Sequence, residues 1–222
     1  MALTLAFDVY GTLINTHGLV EKLHTLIGER ASDFSATWRD KQLEYSFRRA
    51  VMGAYADFSI CTRDALEYTC RLYQVDIDHV QKQHLLAAYT QLPAFPDTRE
   101  ALQQLAQLEH RLFAFSNGSE HSVRQLLLSA DVLHCFHGVV SAAEVSTFKP
   151  NPTVYQHFLE TTASNAKTTW LISSNPFDII GAEQAGFSTA WIQRDSRQVF
   201  DPWGTEPTAV FADLTELLTQ LS

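Results

Sequence analysis

Apolar positions along this chain repeat in two different periods, and the two alternate. Short continuous apolar runs, "LTLAFDVY" (3–10), "RLFAFSNG" (111–118), "GVVSA" (138–142), "TTWLISS" (168–174) and "STAWIQR" (188–194), read as buried strands. Between them, "TREALQQLAQLE", "SEHSVRQLLLSADV", "NPTVYQHFLETTA" and "PFDIIGAEQAG" place apolar residues at helical spacing. A last strand, "AVFAD", and a closing helix, "LTELLTQL", complete the series. Strand and helix in strict alternation predict an α/β fold, a doubly wound parallel sheet with a Rossmann-like core and helices on both faces.

One stretch breaks the alternation. From about His17 to Pro93 there is no comparable strand, while "FSATWRDKQLEYSFRRAVMG" and "TRDALEYTCRLY" carry helical patterning. That length exceeds a crossover and is too regular for a loop. It is expected to be a helical cap subdomain, residues 15–96, inserted after the first strand of a core made of residues 1–14 and 97–222. The segment "QLPAFPDT", stiffened by two prolines, is the return linker.

Composition narrows the function classes. A chain of 222 residues with a 45% hydrophobic fraction can bury a sizeable core. A formal charge of −9 argues against a nucleic-acid partner, which needs a basic surface to displace counterions. Three cysteines, Cys61, Cys70 and Cys135, lack metal-ligand spacing and fit free thiols in a reducing compartment. No apolar run reaches transmembrane length and "MALTLAFD" lacks a signal-peptide pattern, so a soluble, cytoplasmic protein without a membrane partner is expected.

In open α/β sheets ligands bind beyond the carboxyl ends of the strands. By that rule four consecutive core strands send polar groups to one rim: Asp8 and Tyr10 after the first, Ser116 and Asn117 after the second, Lys149 after the third, and Ser173, Asn175 and Asp178 after the fourth. Singly, each has a structural explanation, as a turn former, a helix cap or an exposed loop lysine. Together on one edge they point to a site. The histidines of "HCFH" (134–137) are read as structural, because no second ligand cluster completes a zinc set. The stretch "WIQRDSRQVFDPWGTEP" is read as a surface excursion before the final strand, with shielding of the site or contact with a partner as its two candidate uses.

These residues also carry a family likeness. The core resembles the haloacid dehalogenase-like hydrolase superfamily through "FDVYGTL", "FAFSNG", Lys149 in "FKPNPTVY" and "ISSNPFDIIGAEQAG". Most members are magnesium-dependent phosphotransferases with an aspartate two residues after the nucleophile and paired carboxylates in the fourth motif. Here the first position is Tyr10 and the fourth motif offers Ser173, Asn175 and a single Asp178, a poor magnesium cage. Both departures, and the arginine-bearing segment "WRDKQLEYSFRRAVMGAYADF" (38–58), are similar to the (S)-2-haloacid dehalogenase branch.

That resemblance implies a cofactor-free and metal-free hydrolase for short 2-haloacids. Asp8 would displace the halide, giving an aspartyl ester that water then hydrolyses. A halide needs no proton on leaving, so a general acid at position 10 would have no task. Arg39, Asn117 and the Phe177 ring edge would cradle the halide ion. Ser116 and backbone amides near Tyr10 would hold the substrate carboxylate, and Tyr10, Leu43 and Phe58 would wall the alkyl group. Leu43 follows Arg39 by four residues, which puts both on one helix face. Lys149 would neutralise the approaching carboxylates, Thr12 would fix the Asp8 rotamer, and Tyr155 would support Lys149 and Asp178. Asp178, with Asn175, Ser173 or Lys149 orienting neighbours, is the candidate to activate water. The resemblance and the long cap helix also suggest a homodimer. The alternatives are a phosphatase or other hydrolase on the same scaffold and a non-catalytic small-carboxylate-binding protein; fold likeness alone does not choose among them.

Overall fold

The computed structural model describes residues 2–221, so Met1 and Ser222, the outermost residues of the expected core, lie outside the described residues. Strand β1 (Thr4–Phe7) is buried at every position. Its alternating side chains feed two separate cores, Leu5 and Phe7 into one and Ala6 into the other. The strand stops short of the apolar run that predicts it. Asp8 N–H makes a last ladder bond to Ile172 O at 2.9 Å, and then Val9 O accepts the N–H groups of Leu13 and Ile14 at 3.0 Å each. This tight turn needs a left-handed residue, supplied by Gly11 at φ +87°.

The helical layer that follows β1 holds α1 (Val20–Ile27), α2 (Ala31–Met52), α3 (Phe58–Tyr73) and α4 (His79–Tyr89). Helix α2 buries the row Phe34, Trp38, Gln42 and Ser46 against α3 and ends at Gly53 in the left-handed conformation, φ +62°. Helix α4 starts in a reciprocal cap: Asp78 accepts from Gln81 N–H at 2.8 Å and the Gln81 side chain accepts from Asp78 N–H at 2.9 Å. The chain leaves and re-enters this helical layer side by side, with Asn15 N–H on Pro93 O at 2.8 Å and Phe95 N–H on Leu13 O at 2.9 Å.

The remaining elements are α5 (Thr98–Leu105), β2 (Arg111–Ser116), α6 (Glu120–Ser129), β3 (Gly138–Ser141), α7 (Pro152–Thr162), β4 (Thr169–Ser173), α8 (Pro176–Gln184), β5 (Ser188–Ile192), β6 (Ala209–Phe211) and α9 (Leu214–Leu221). The described residues form a six-stranded sheet in the order β3-β2-β1-β4-β5-β6, parallel throughout. This is the doubly wound α/β arrangement that the alternation predicts. Phe7 of β1 stands in register with Ala114 of β2 on one side and Ile172 of β4 on the other.

Other parts of the sequence find structural uses. His137 Nδ1 accepts Leu112 N–H at 3.1 Å just before β3, and Ser119 Oγ caps α6 by accepting Ser122 N–H at 3.4 Å. The three cysteines are free and buried, and burial pushes each thiol above its usual range. Among the described residues no helix is long and apolar enough to cross a membrane.

Candidate active site

The strand order reverses direction of winding at β1, between β2 and β4, and that switch point opens a crevice beyond the strand ends. Asp8 sits there, 7% exposed. Its Oδ2 accepts from Thr12 Oγ1 at 2.9 Å and from Asn175 Nδ2 at 2.8 Å, while among the described residues its Oδ1 meets only the Lys149 Nζ, at 3.4 Å. Thr12 is itself fixed, since its Oγ1 accepts Ser174 N–H at 2.8 Å.

Lys149 is 1% exposed, which removes the reading of an exposed loop lysine. A buried ammonium must be paired, and it donates to Asp178 Oδ2 and to Phe115 O at 2.8 Å each as well as facing Asp8. Its Nζ also lies 4.0 Å from the Phe115 ring centroid, a cation–π contact. Tyr155, wholly buried, donates its hydroxyl to Asp178 Oδ1 at 2.8 Å. Complete burial raises the Asp178 carboxyl to about 6, with Lys149 opposing and Asp8 adding to that rise. Burial likewise pushes the Tyr155 phenol up, keeping it a neutral donor.

Asn175 occupies the N-cap position of α8, yet its side chain makes no cap hydrogen bond. An asparagine there ordinarily contributes about 1 kcal/mol by binding its own helix's amides. Instead its amide reaches Asp8 Oδ2 and Tyr10 O, the latter at 3.2 Å. A local rule set aside in this way marks a residue held for the site. Ser173 supports the same turn by accepting Asn175 N–H at 3.1 Å.

The donor set does not fit a magnesium ion. A hard dication collects oxygen ligands, and here the space between the carboxylates of Asp8 and Asp178 is taken by an ammonium. Among the described residues no group of three or more His, Cys, Asp or Glu is placed to hold a metal.

Arg39 comes down on this site from α2. It is half-buried, and its Nη2 shares the Tyr10 carbonyl with Asn175, at 3.4 Å, which ties it to the residue holding Asp8. Arg39, Leu43, Asn175 and Phe177 line one cavity of about 790 Å3, so the four-residue helical spacing does bring Arg39 and Leu43 together. Tyr10 places its ring in an aromatic wall, 6.1 Å from the Phe58 centroid and 5.8 Å from that of Tyr89. Tyr10 and Phe58 line a second, smaller cavity of about 250 Å3, with Gly118 and Ser119 on its other side.

Two residues join less directly. Asn117 Oδ1 accepts Lys149 N–H at 2.8 Å, which fixes the amide orientation and leaves its NH2 end as the free donor. Ser116 Oγ accepts Gly118 N–H at 3.1 Å; among the described residues no hydrogen bond links it to Asp8 or Lys149.

The structure adds two residues that sequence reasoning passed over. Gln42, wholly buried, accepts from Arg39 Nη1 at 2.8 Å. Its signal was a polar residue in phase with the apolar row of α2. Arg194, in the 193–207 excursion, donates from Nη1 to both carboxylate oxygens of Asp97 at 2.8 and 2.7 Å and from Nη2 to Thr12 O at 2.6 Å. The excursion is therefore no mere surface feature: Arg194, Arg197 and Gln198 line the same cavity as Arg39. Nothing in its sequence marks it, because the contacts cross from β5 to the turn after β1.

Comparison with known proteins agrees with this geometry. A family model described as haloacid dehalogenase-like hydrolase matches residues 3–186. An (S)-2-haloacid dehalogenase from Pseudomonas putida is 35% identical, over 96% of this chain and 95% of that protein. The structure of L-2-haloacid dehalogenase from Xanthobacter autotrophicus superposes with a TM-score of 0.90 at 30% identity, covering 100% of this chain and 98% of that one. The same enzyme with chloropropionic acid covalently bound matches at a TM-score of 0.90 and 29% identity, with the same coverage. The chain belongs to the haloacid dehalogenase-like hydrolase family, in its (S)-2-haloacid dehalogenase branch.

Proposed function

We propose that this protein hydrolyses short (S)-2-haloalkanoic acids to (R)-2-hydroxyalkanoic acids through an ester on Asp8. The observation that carries the reading is the Lys149 ammonium lodged between Asp8 and Asp178, with an aromatic ring packed against Phe58 at position 10 in place of a carboxyl. A leaving halide needs positive charge and no proton, whereas phosphoryl transfer would need the acid and the metal ligands that this site lacks.

Asp8 Oδ1, the oxygen with the single long contact, attacks the halogen-bearing carbon; the carbon–halogen bond breaks and the halide leaves with its electron pair, inverting the carbon. Arg39, the free NH2 of Asn117 and the edge of Phe177 receive the halide. Ser116 and the amides of the Tyr10 turn hold the substrate carboxylate, and Tyr10, Leu43 and Phe58 enclose the alkyl group. Lys149 offsets the repulsion between substrate and nucleophile. Water then adds to the ester carbonyl carbon, and the negative charge that develops on Oδ2 is met by the Thr12 hydroxyl and the Asn175 amide already bound there. Asp178 takes the water proton, held by Tyr155 and Lys149, with Ser173 setting Asn175. As the Cγ–Oδ1 bond breaks, Asp178 returns its proton to the departing alkoxide oxygen, the former Oδ1; solvent oxygen replaces it in Asp8, whose carboxyl releases the second water proton to solvent.

Purified protein with (S)- and (R)-2-chloropropionate is expected to release chloride from the (S) acid alone, and to release no nitrophenol from p-nitrophenyl phosphate with magnesium. Single turnover in 18O water should place label in the Asp8 carboxyl. Chloride release with label only in the product would exclude the ester.

The raised Asp178 carboxyl predicts a pH dependence. Because Asp178 acts as the carboxylate, ester hydrolysis should slow as pH falls through about 6 and be independent of pH well above it. Asp178→Asn should slow ester decay by roughly two to four orders of magnitude and abolish that acid limb, so that the ester accumulates. Retention of the limb in the variant would assign it to another group.

In the same reading, residues 15–96 form a cap over a core of residues 1–14 and 97–222, supported by the paired crossings at Asn15–Pro93 and Leu13–Phe95. Free, buried cysteines support a cytoplasmic location. Val51, Met52 and Trp203, at 90%, 68% and 76% exposure, support a homodimer, which sedimentation velocity would detect.

A further inference from the structure

Among the buried polar groups of the helical layer, Gln42 stands out by what it holds. It occupies a core position of α2, between Trp38 and Ser46 in the buried row, and its exposure is 0%. An apolar side chain would satisfy packing there; a glutamine is tolerated only if its polar atoms are paired. All of them are. Its Oε1 accepts from Arg39 Nη1 at 2.8 Å and from the Tyr89 hydroxyl at 3.0 Å, and its Nε2 donates to Thr62 Oγ1. Thr62 passes its own proton to Phe58 O at 3.0 Å. The amide therefore has one orientation, since the reverse would set NH2 against the Arg39 donors.

Two consequences follow. Gln42 joins Arg39 to the aromatic wall, through Thr62 to Phe58 and through Tyr89 to the ring of Tyr10. It also holds the guanidinium without neutralising it. Both acceptors of Arg39, Gln42 Oε1 and Tyr10 O, are neutral, and among the described residues no carboxylate is within ion-pair distance of Arg39. Arg49, Arg124 and Arg194 each meet a carboxylate. A halide reaching one of those would compete with a fixed anion; at Arg39 it meets an aimed and unspent charge.

We propose that Gln42 is a positioning residue that aims Arg39 through a neutral acceptor, and that the neutrality of this side chain sets the affinity of the site for halide. The inference rests on the halide role given to Arg39 above. Glutamate is nearly isosteric and keeps the acceptor for Arg39 and Tyr89, while the Thr62 hydroxyl can turn to donate to it. Methionine has similar length and adds no charge but removes the acceptor.

The test measures kcat and KM for (S)-2-chloropropionate and the inhibition constants of chloride and bromide, for wild type, Gln42→Glu and Gln42→Met, with far-UV circular dichroism as the control for folding. Gln42→Glu is expected to raise both halide inhibition constants by at least about tenfold, the scale of one hydrogen-bonded charge. Gln42→Met should lower kcat with a smaller change, under about threefold, in halide inhibition, because the charge stays but is poorly aimed. A role in which the acceptor matters and the charge of the side chain does not predicts the opposite order, with glutamate close to wild type and methionine worse; that order overturns the proposal. Should Gln42→Glu not fold, the cycle of Gln42→Met with Arg39→Lys decides: the two effects on kcat must be non-additive by about fivefold or more, and additivity overturns it. Absence of chloride release by wild type would instead overturn the underlying reaction.

Discussion

Asp8→Asn is expected to abolish chloride release from (S)-2-chloropropionate, by at least about four orders of magnitude in kcat/KM, without loss of fold. The size follows from the role: removing a nucleophile removes the covalent route and leaves only binding and positioning. The retained fold follows from charge. Two carboxylates, Asp8 and Asp178, share the one ammonium of Lys149, so the wild-type cluster carries an excess negative charge in a buried place. An amide at position 8 keeps the acceptor for Thr12 and leaves the Lys149–Asp178 pair, a neutral set. Thermal unfolding of Asp8→Asn should therefore be no lower than that of wild type. Chloride release near the wild-type rate would refute the nucleophile, and an inactive but unfolded variant would refute the charge account.

Lys149→Met is expected to cost both activity and stability. Removing one partner of a buried ion pair leaves uncompensated charge, at about 3–5 kcal/mol. In a chain of this size that corresponds to roughly 10 °C in unfolding temperature at neutral pH. The sign with pH is specific. Without the ammonium, which opposes the rise, the folded-state value of the Asp178 carboxyl climbs further above its unfolded value from a level already raised. For an acid so shifted the penalty is full above the folded value and is relieved as pH falls toward the unfolded one. The gap to wild type should be largest near pH 8 and narrow below about 6. Adding Asp178→Asn to Lys149→Met should recover stability and no activity. Circular dichroism melts from pH 5 to 8 together with chloride release measure all of this; a gap independent of pH would place the damage in packing.

The two expected effects rest on different parts of the chain, and so does their legibility. Asp8 was readable because it ends an apolar run and precedes a glycine turn, both local patterns. That Lys149 would be buried was not, since "FKP" reads equally as an exposed loop. Asn175 was readable as a rim residue, but only the neighbouring strand shows that its amide goes to Asp8 and not to its own helix. Tyr10 was informative as an absence, the missing second carboxylate, but the direction of its ring depends on Phe58 and Tyr89, which come from other helices. Arg194 escaped because nothing within a few residues of it distinguishes a buried polar network from a solvated surface, and Gln42 because its phase with Phe34 and Trp38 shows burial but not what its amide holds.

The alternating order of strand and helix, the helical stretch between Asn15 and the two-proline linker, and the set of polar residues at the strand ends are all legible in the amino-acid order. Period and chain order are local properties, and strand-end position follows from topology. Only the tertiary structure decided which of those residues share hydrogen bonds: Lys149 between two carboxylates, Asn175 on Asp8, Arg39 on Gln42 and Arg194 on Thr12. Those pairings join residues far apart in sequence, and they are set by the need to satisfy every polar group that the packed core buries.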